Sequence, residues 1–188
     1  MTDKTTSSPT RPHPHRPRSD DAAALWLRAP KPADAASIHR LVVECPPLDL
    51  NSLYAYLLLT EHFSQTCILA GRGDEVLGFV SGYRPPDRVD VLFVWQVAVH
   101  PAARGQGLAR RLLGDLLARP ALQDVRFIET TVSPDNLASR QVFTAVAETC
   151  GAPVTEHSLF PTQLFGGADH QDEPLLRIGP LSRQRAAA

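Results

Sequence analysis

The part of the sequence best suited to chemistry is a short loop between an apolar strand and a helix. The strand-like run 97–99 is followed within a few residues by Gly105 and Gly107, and a helical pattern begins at Leu108. Glycine lets a ligand approach the main chain without a Cβ in the way. The free amides and the dipole of a helix N-terminus attract an anion. The arrangement predicts a phosphate-binding loop, although two glycines are also typical of a simple turn.

The loop has neither the G-x-x-x-x-G-K-[ST] pattern of nucleoside triphosphatases nor the G-x-G-x-x-G pattern of dinucleotide-binding folds. Its Arg104-x-x-Gly107-x-Ala109 pattern instead resembles the diphosphate-binding motif of the GNAT superfamily of acyl-CoA-dependent N-acyltransferases, [QR]-x-x-G-x-[GA]. The resemblance implies a single α/β domain of GNAT fold, with a mixed, mostly antiparallel central sheet flanked by helices. It also implies acetyl-CoA as co-substrate and no metal. The implied cofactor-binding residues are Val97, Val99, Arg104, Gly105, Gln106, Gly107, Leu108, Ala109 and Asn136.

A closer resemblance covers nearly the whole folded region. The segments 45–56, 78–84, 93–100, 129–132 and 177–180 resemble, in the same order, the family of L-2,4-diaminobutyrate acetyltransferases. This resemblance implies transfer of an acetyl group to the γ-amine of L-2,4-diaminobutyrate by a cytoplasmic homodimer, in ectoine biosynthesis during adaptation to high osmolarity. Two alternatives stay open: a GNAT enzyme for another small amine or a protein N-terminus, and a non-catalytic acyl-CoA sensor.

Such a reaction needs a base, because an amine with a pKa near that of lysine, about 10, is mostly protonated at neutral pH. Glu129 is the first candidate, since it stands inside the apolar run 125–132, in the strand after the cofactor-binding strand. It is otherwise a solvated, outward-facing residue, because charged side chains are almost never fully buried unless paired. Asp49 is the second candidate acid, or else the N-cap of the helix that follows it.

The other expected substrate contacts lie on separate elements. Trp95 stands in the cofactor-binding strand at a spacing that places it on the same face as Val97, either in the pocket wall or in the core. Tyr54 is preferred over the other tyrosine of a helix that rims the acceptor site in this fold. Arg84 offers a guanidinium fork to the substrate carboxylate, and His170 reaches the pocket from the C-terminal segment. Both are equally consistent with solvated surface residues.

We expect direct attack of the amine in a ternary complex, with backbone N–H groups of the central strand stabilising the oxyanion. Where many superfamily members have a tyrosine to protonate the departing thiolate, this sequence has Phe143, so water or no acid serves. A covalent route is disfavoured because none of Cys45, Cys67 and Cys150 is expected beside the acyl position or a base. Three cysteines without C-x-x-C spacing also argue against a disulfide framework or a cysteine zinc site and favour a reduced compartment.

Length and composition limit the remaining possibilities. The chain has 188 residues, 43% of them hydrophobic, which suits one folded domain with a core. Nineteen Lys and Arg against 20 Asp and Glu leave a net charge of -1, so no basic field exists to attract nucleic acid or anionic lipid. The longest apolar runs, 22–27 and 55–59, are far shorter than the roughly 20 residues of a membrane-spanning helix.

Hydrophobic periodicity predicts an alternation of strands and helices. Residues 1–21 are rich in proline and polar residues and are expected to be a disordered extension without a secretory signal. The acetyltransferase domain is expected over 22–181, and 182–188 as a flexible tail. Strands are predicted over 25–28, 66–70, 76–83, 91–99 and 125–132, with weaker ones over 159–165 and 175–178. Helices are predicted over 33–44, from 49 or 51 to 62, 108–119 and 134–149.

Overall fold

The computed structural model describes residues 24–166 and 170–182, so the predicted extension over 1–21 and nearly all of the predicted tail over 182–188 lie outside the described residues. The strands are β1 (Leu25–Arg28), β2 (Ile68–Arg72), β3 (Glu75–Tyr83), β4 (Val91–Val99), β5 (Phe127–Thr131), β6 (Val154–Phe160) and β7 (Glu173–Ile178). The helices are α1 (Ala35–Val43), α2 (Leu53–His62), α3 (Leu108–Leu117) and α4 (Leu137–Cys150). No helix within these described ranges is long and apolar enough to cross a membrane.

One mixed sheet of seven strands, in the order β1-β2-β3-β4-β5-β7-β6, organises the domain. All neighbouring strands are antiparallel except β4 and β5, which run parallel. The parallel pair is short: it ends at the pairing of Phe93 with Glu129, although β4 continues to Val99. Beyond Phe93 one edge of β4 therefore has no partner strand. The predicted α/β architecture with a mostly antiparallel sheet is confirmed.

Helices cover both faces of the sheet. On one face, Leu112, Leu113 and Leu116 of α3 pack with Phe143 and Val146 of α4 against the apolar side of the central strands. Their three- and four-residue spacing forms a single apolar stripe on each helix. On the other face, a smaller core joins buried residues of α1 and α2 to β2, β3 and β4: Ile38, Leu41, Tyr56, Leu59, Leu69, Phe79 and Ala98. The strand edge at the β4–β5 gap lies between these two cores.

A β-bulge in β4 corrects the predicted position of Trp95. Ser81 of β3 pairs with Gln96, whereas the next β3 residue pairs with Val94, so Trp95 is an extra residue in the ladder. Val94 and Val97 consequently both pack toward the α3–α4 core, despite their odd spacing. The two-residue alternation that placed Trp95 and Val97 on one face does not hold across the bulge. With 45% of its surface exposed, Trp95 is also not a core residue.

Among the element boundaries that differ from the prediction are those of α2 and β6. Helix α2 begins at Leu53 and is capped by Ser52, whose hydroxyl accepts a hydrogen bond from the amide of Ala55 at 3.2 Å. Neither Asp49 nor residue 51 caps it, because the cap must directly precede the first helical residue. Strand β6 occupies 154–160 rather than 159–165, and all seven residues are exposed. An exposed edge strand lacks the apolar alternation from which strands are predicted.

The cap assignment makes a stability prediction. Ser52→Ala should lower the free energy of unfolding by about 1 kcal/mol, because one helix-terminal amide loses its partner. This corresponds to a fall in Tm of roughly 2–4 °C for a domain of this size. Asp49→Ala is the matched control and should change stability by less than about 0.5 kcal/mol, as is usual for a surface side chain. Urea unfolding of both variants measures the difference, and equal losses would contradict the assignment.

Candidate active site

A cleft of about 770 Å³ opens between α3, α4 and the free edge of β4. All nine residues expected to bind the cofactor line it: Val97, Val99, Arg104, Gly105, Gln106, Gly107, Leu108, Ala109 and Asn136. The structure also places Cys45 and Leu48, from the connection between α1 and α2, in the wall of this cleft. The strand, the glycine loop and the helix start thus form one continuous surface with a volume suited to a small-molecule ligand.

The glycine loop presents backbone amides rather than side chains. Gly105 and Gly107 both adopt left-handed conformations, with φ of +73° and +72°, and no neighbouring atom lies within 3.4 Å of where a Cβ would stand. Gly107 is the N-cap of α3 and supplies no side-chain cap, so the first amides of that helix stay free to bind an anion. Leu108 is buried in the core and anchors the helix start. The loop geometry therefore fits the predicted diphosphate cradle.

The carbonyl of Val99 is already occupied. It accepts a hydrogen bond from Cys45 Sγ at 3.3 Å and another from Arg104 Nε at 3.1 Å, which uses both lone pairs of the oxygen. Cys45 thus lies in the wall of the cofactor cleft, because the α1–α2 connection folds back onto β4. Its thiol donates to this backbone carbonyl, and no hydrogen bond joins it to a basic side chain among the described residues.

The other two cysteines are not poised for covalent catalysis. Burial raises the pKa of the Cys67 thiol to about 11, and burial also raises the pKa of Cys150. Since the nucleophile is the thiolate, both are weak candidates at neutral pH. Within residues 24–166 and 170–182 there is also no group of three side chains placed to hold a metal ion.

Helix α4 forms the far wall of the cleft. Asn136 is its N-cap, and the side-chain oxygen accepts a hydrogen bond from the amide of Ser139 at 3.1 Å. Among the described residues, the side-chain nitrogen of Asn136 makes no hydrogen bond, so it is left to donate to a ligand. Phe143 lines the same wall and is buried. It carries no proton that could be donated to a departing thiolate.

Glu129 is completely buried, with 0% of its side chain exposed, and two arginines hold its carboxylate. Arg88 donates from one nitrogen to both carboxylate oxygens, at 2.7 and 2.6 Å, and Arg177 of the neighbouring strand donates to Oε1. The alternative of a solvated, outward-facing glutamate is wrong, because two charge partners compensate the cost of burial. In these contacts the carboxylate of Glu129 has few free lone pairs and is not accessible to an incoming amine. Both facts argue against Glu129 as the general base.

Arg84 is not available for a substrate carboxylate. Its guanidinium forms a fork with both oxygens of Asp124 and also donates to the carbonyls of Val89 and Ala121. The hydrogen bonds to Asp124 raise the pKa of Arg84, and the same contact lowers the pKa of the Asp124 carboxyl. Four of the five N–H groups are occupied, so Arg84 ties the β3–β4 connection to the segment before β5.

A buried polar chain holds Asp49 beside β4. Gln96 donates to the backbone carbonyl of Asp49 at 2.7 Å, and the hydroxyl of Tyr56 donates to the Gln96 side chain at 3.3 Å. Gln96 and Tyr56 are buried, whereas the Asp49 side chain is exposed. The loop that carries Asp49 is thus fixed next to the strand segment at which β4 leaves β5, and its carboxylate is free to meet a ligand.

The remaining expected substrate contacts are Tyr54, Trp95 and His170. Tyr54 is 67% exposed on α2, and Trp95 is exposed at the bulge. His170 stacks on the ring of Phe165 at 3.8 Å between centroids. None of the three lines the cofactor cleft.

Sequence reasoning missed Gln96 and Arg88 as site residues, and it ranked Tyr56 below Tyr54. Gln96 carried a usable signal, because it is an amide inside the otherwise apolar run 91–99. Arg88 carried none, since its partner is 41 positions away along the chain.

Comparison with known proteins agrees with this geometry. Residues 35–147 match the model of the acetyltransferase (GNAT) family. The chain is 57% identical over 162 residues to L-2,4-diaminobutyric acid acetyltransferase of Bordetella parapertussis, covering 86% of this chain and 87% of the relative. It is 46% identical to the enzyme of the same name from Methylotuvimicrobium alcaliphilum, covering 86% of this chain and 94% of the relative.

A solved structure of similar sequence extends the likeness to three dimensions. Diaminobutyrate acetyltransferase EctA from Paenibacillus lautus, in complex with L-2,4-diaminobutyric acid and coenzyme A, superposes with a TM-score of 0.81 at 42% identity, covering 84% of this chain and 96% of that one. The ribosomal-protein-S18-alanine N-acetyltransferase from Escherichia coli matches with a TM-score of 0.59 at 15% identity, covering 88% and 99%, and shares the fold. The resemblance predicted from the sequence is confirmed: the chain belongs to the GNAT acetyltransferase family and, within it, to the diaminobutyric acid acetyltransferases.

Proposed function

We propose that this protein transfers the acetyl group of acetyl-CoA to the γ-amine of L-2,4-diaminobutyrate, giving N4-acetyl-L-2,4-diaminobutyrate. The observation that carries the proposal is the cleft itself, in which a phosphate-type glycine loop leads directly to the gap between β4 and β5. A relative that superposes over most of the chain binds coenzyme A and diaminobutyric acid. The fold and the donor groups of the cleft suit the same pair of ligands.

The cofactor is held mainly by backbone groups. The loop 104–109 and the first turn of α3 receive the diphosphate, with Arg104 at hand to balance its charge. The free edge of β4, at Val97 and at the N–H group of Val99, pairs with the amide groups of the pantetheine arm, as an added strand would. The side-chain amide of Asn136 faces the arm from the opposite wall.

The reaction is a direct transfer. The neutral amine attacks the thioester carbonyl, the new N–C bond forms, and backbone N–H groups of β4 stabilise the oxyanion. Collapse of this intermediate breaks the C–S bond, coenzyme A leaves as the thiolate, and the nitrogen, positively charged after the attack, releases its extra proton to water. Because Phe143 offers no proton, the thiolate takes one from water or leaves unprotonated.

We assign removal of the amine proton to Asp49, directly or through one water. Its carboxylate is exposed and its backbone is fixed beside β4 by Gln96. Glu129, the first candidate from the sequence, lies on the same side but is occupied by its two arginines. Tyr54, Trp95 and His170 are assigned to the rim of the acceptor pocket.

The setting of the reaction is part of the proposal. We propose that it makes acetyl-diaminobutyrate for ectoine synthesis, under osmotic stress and in the cytoplasm, as the family resemblance implies. A homodimer is supported by β6, a sheet edge whose exposed residues include Leu159 and Phe160. Residues 22–181 are proposed as the acetyltransferase unit.

The activity is tested by release of the coenzyme A thiol when candidate amines are added to the protein and acetyl-CoA. L-2,4-Diaminobutyrate should be acetylated with a higher kcat/KM than ornithine or lysine, and mass spectrometry with fragmentation should place the acetyl group on the γ-nitrogen. Binding of acetyl-CoA without release of thiol for any amine would instead favour a sensor.

The loop predicts a selective loss of cofactor affinity. Gly107→Val should weaken acetyl-CoA binding by at least about tenfold and diaminobutyrate binding much less, because a branched side chain enters the space of the phosphate. Gly151→Val is the matched control: Gly151 also has a positive φ, +58°, with nothing within 4 Å, but lies at the C-terminus of α4. Calorimetry measures acetyl-CoA affinity in both variants and so separates an effect of backbone strain from loss of the binding site. Unchanged affinity in folded Gly107→Val would contradict a diphosphate site at this loop.

The base assignment predicts a pH-dependent loss. Asp49→Asn should lower kcat/KM by about 100-fold at neutral pH, the scale expected for loss of a general base. The loss should shrink as pH rises, because more of the amine, with a pKa near about 10, then arrives deprotonated. Glu61→Gln, an exposed acid of α2, is the control and should match the parent. A pH–rate profile of Asp49→Asn parallel to that of the parent would exclude Asp49 as the base.

A further inference from the structure

Two arginines and one buried glutamate form a charged cluster beside the β4–β5 gap. Arg88 comes from the β3–β4 connection, Glu129 from β5 and Arg177 from β7. The glutamate is completely buried, whereas the side chains of Arg88 and Arg177 are 46% and 30% exposed. The cluster therefore presents only its cationic parts to a ligand.

The charges of the cluster do not cancel. Two guanidinium groups surround a single carboxylate, which leaves one positive charge in excess. Each arginine contacts Glu129 through one terminal nitrogen, and the other N–H groups have no acceptor among the described residues. The guanidinium of Arg177 is also held over the ring of Phe127, 3.8 Å from the centroid, which fixes its plane. Oriented, partly exposed N–H groups with surplus charge are suited to a carboxylate.

The cluster lies on the face of the sheet to which the acceptor amine is proposed to bind. Ile128 and Ile178 pack into the α3–α4 core, so their neighbours Glu129 and Arg177 point to the opposite face. That face carries α1, α2 and Asp49, whereas the cofactor cleft lies toward α3 and α4. Glu129 is also the last residue of β5 to pair with β4. The cluster thus stands at the apex of the gap, across from the diphosphate loop.

We propose that Arg88 and Arg177 form the subsite for the α-carboxylate of the amino-acid substrate, with Glu129 as the positioning residue that holds the two guanidinium groups side by side. The inference rests on the proposed function, since it names how that substrate is recognised. It replaces Arg84, whose N–H groups are consumed by Asp124 and two backbone carbonyls. It also gives the buried glutamate a role that does not require it to accept a proton.

The proposed subsite predicts that the protein prefers amines that carry a carboxylate. 1,3-Diaminopropane is diaminobutyrate without its carboxylate, so it offers the same reacting amine but nothing for the arginines to bind. The parent protein should therefore prefer diaminobutyrate by about 10- to 100-fold in kcat/KM, the range expected for charged hydrogen bonds.

The experiment compares the two amines in four proteins. Arg88→Gln should lower kcat/KM for diaminobutyrate by about 10-fold or more, mainly through KM, and leave that for 1,3-diaminopropane within about twofold. Arg88→Lys should recover part of the loss, because it restores the charge without the fork. Arg126→Gln is the matched control: Arg126 lies next to the same aromatic ring but makes no contact with Glu129, and its removal should change neither value.

Glu129→Gln separates positioning from proton transfer. A positioning residue should affect diaminobutyrate far more than 1,3-diaminopropane, whereas a general base would be needed equally for both amines. Coenzyme A affinity and thermal melting of this variant show whether the buried substitution has left the fold intact. If it unfolds, the exposed Arg88 variants still decide the proposal.

The outcomes distinguish this inference from the proposed function. Suppose that the parent protein acetylates diaminobutyrate. If Arg88→Gln then lowers kcat/KM equally for both amines, or for neither, the subsite is overturned and the proposed function stands. A parent protein that does not acetylate diaminobutyrate overturns the function. Loss of the carboxylate preference in Arg88→Gln, with Arg126→Gln unchanged, supports the subsite.

Discussion

The parting of β4 from β5 is the constraint on which the site depends. The two parallel strands pair over only three residues each, ending at Phe93 and Glu129, and β4 then runs on with one edge unpaired. Buried backbone groups must find partners elsewhere. The carbonyl of Val99 finds them in Cys45 and Arg104. The rest of that edge offers an extended ligand such as the pantetheine arm the hydrogen bonds that a further strand would otherwise take.

The parting also separates two electrostatic environments. Toward α3 and α4, glycines and helix amides form a surface for phosphate. Toward α1 and α2, the exposed carboxylate of Asp49 can pair with an ammonium group, and the arginines around Glu129 can pair with a carboxylate. The apex of the gap, where the proposed transfer takes place, lies between them. The sheet topology thus keeps the anionic cofactor and the zwitterionic acceptor on separate faces until their reacting atoms meet.

Much of this arrangement follows from local sequence. The loop 104–109 is predictable because its chemistry depends on residues that are neighbours in the sequence. Helix α3 and strand β4 are predictable because their apolar spacing is regular over ten and nine residues. The bulge at Trp95 was not predictable, since it is defined by register against β3. Nor was the pairing of Glu129 with Arg88 and Arg177, which lie 41 and 48 positions away. An acid inside an apolar strand signals a partner, but the fold alone identifies it.

The buried glutamate explains how two arginines can stand together at a small site. Alone, two guanidinium groups would repel each other and carry a charge of two, more than a single carboxylate neutralises. The buried Glu129 neutralises one of these charges and holds both guanidinium groups close together. Because Glu129 is completely buried and both arginines contact it, the three side chains hold their geometry as a unit. The remaining single charge matches one carboxylate, and this match places the substrate by charge before its amine reaches the thioester.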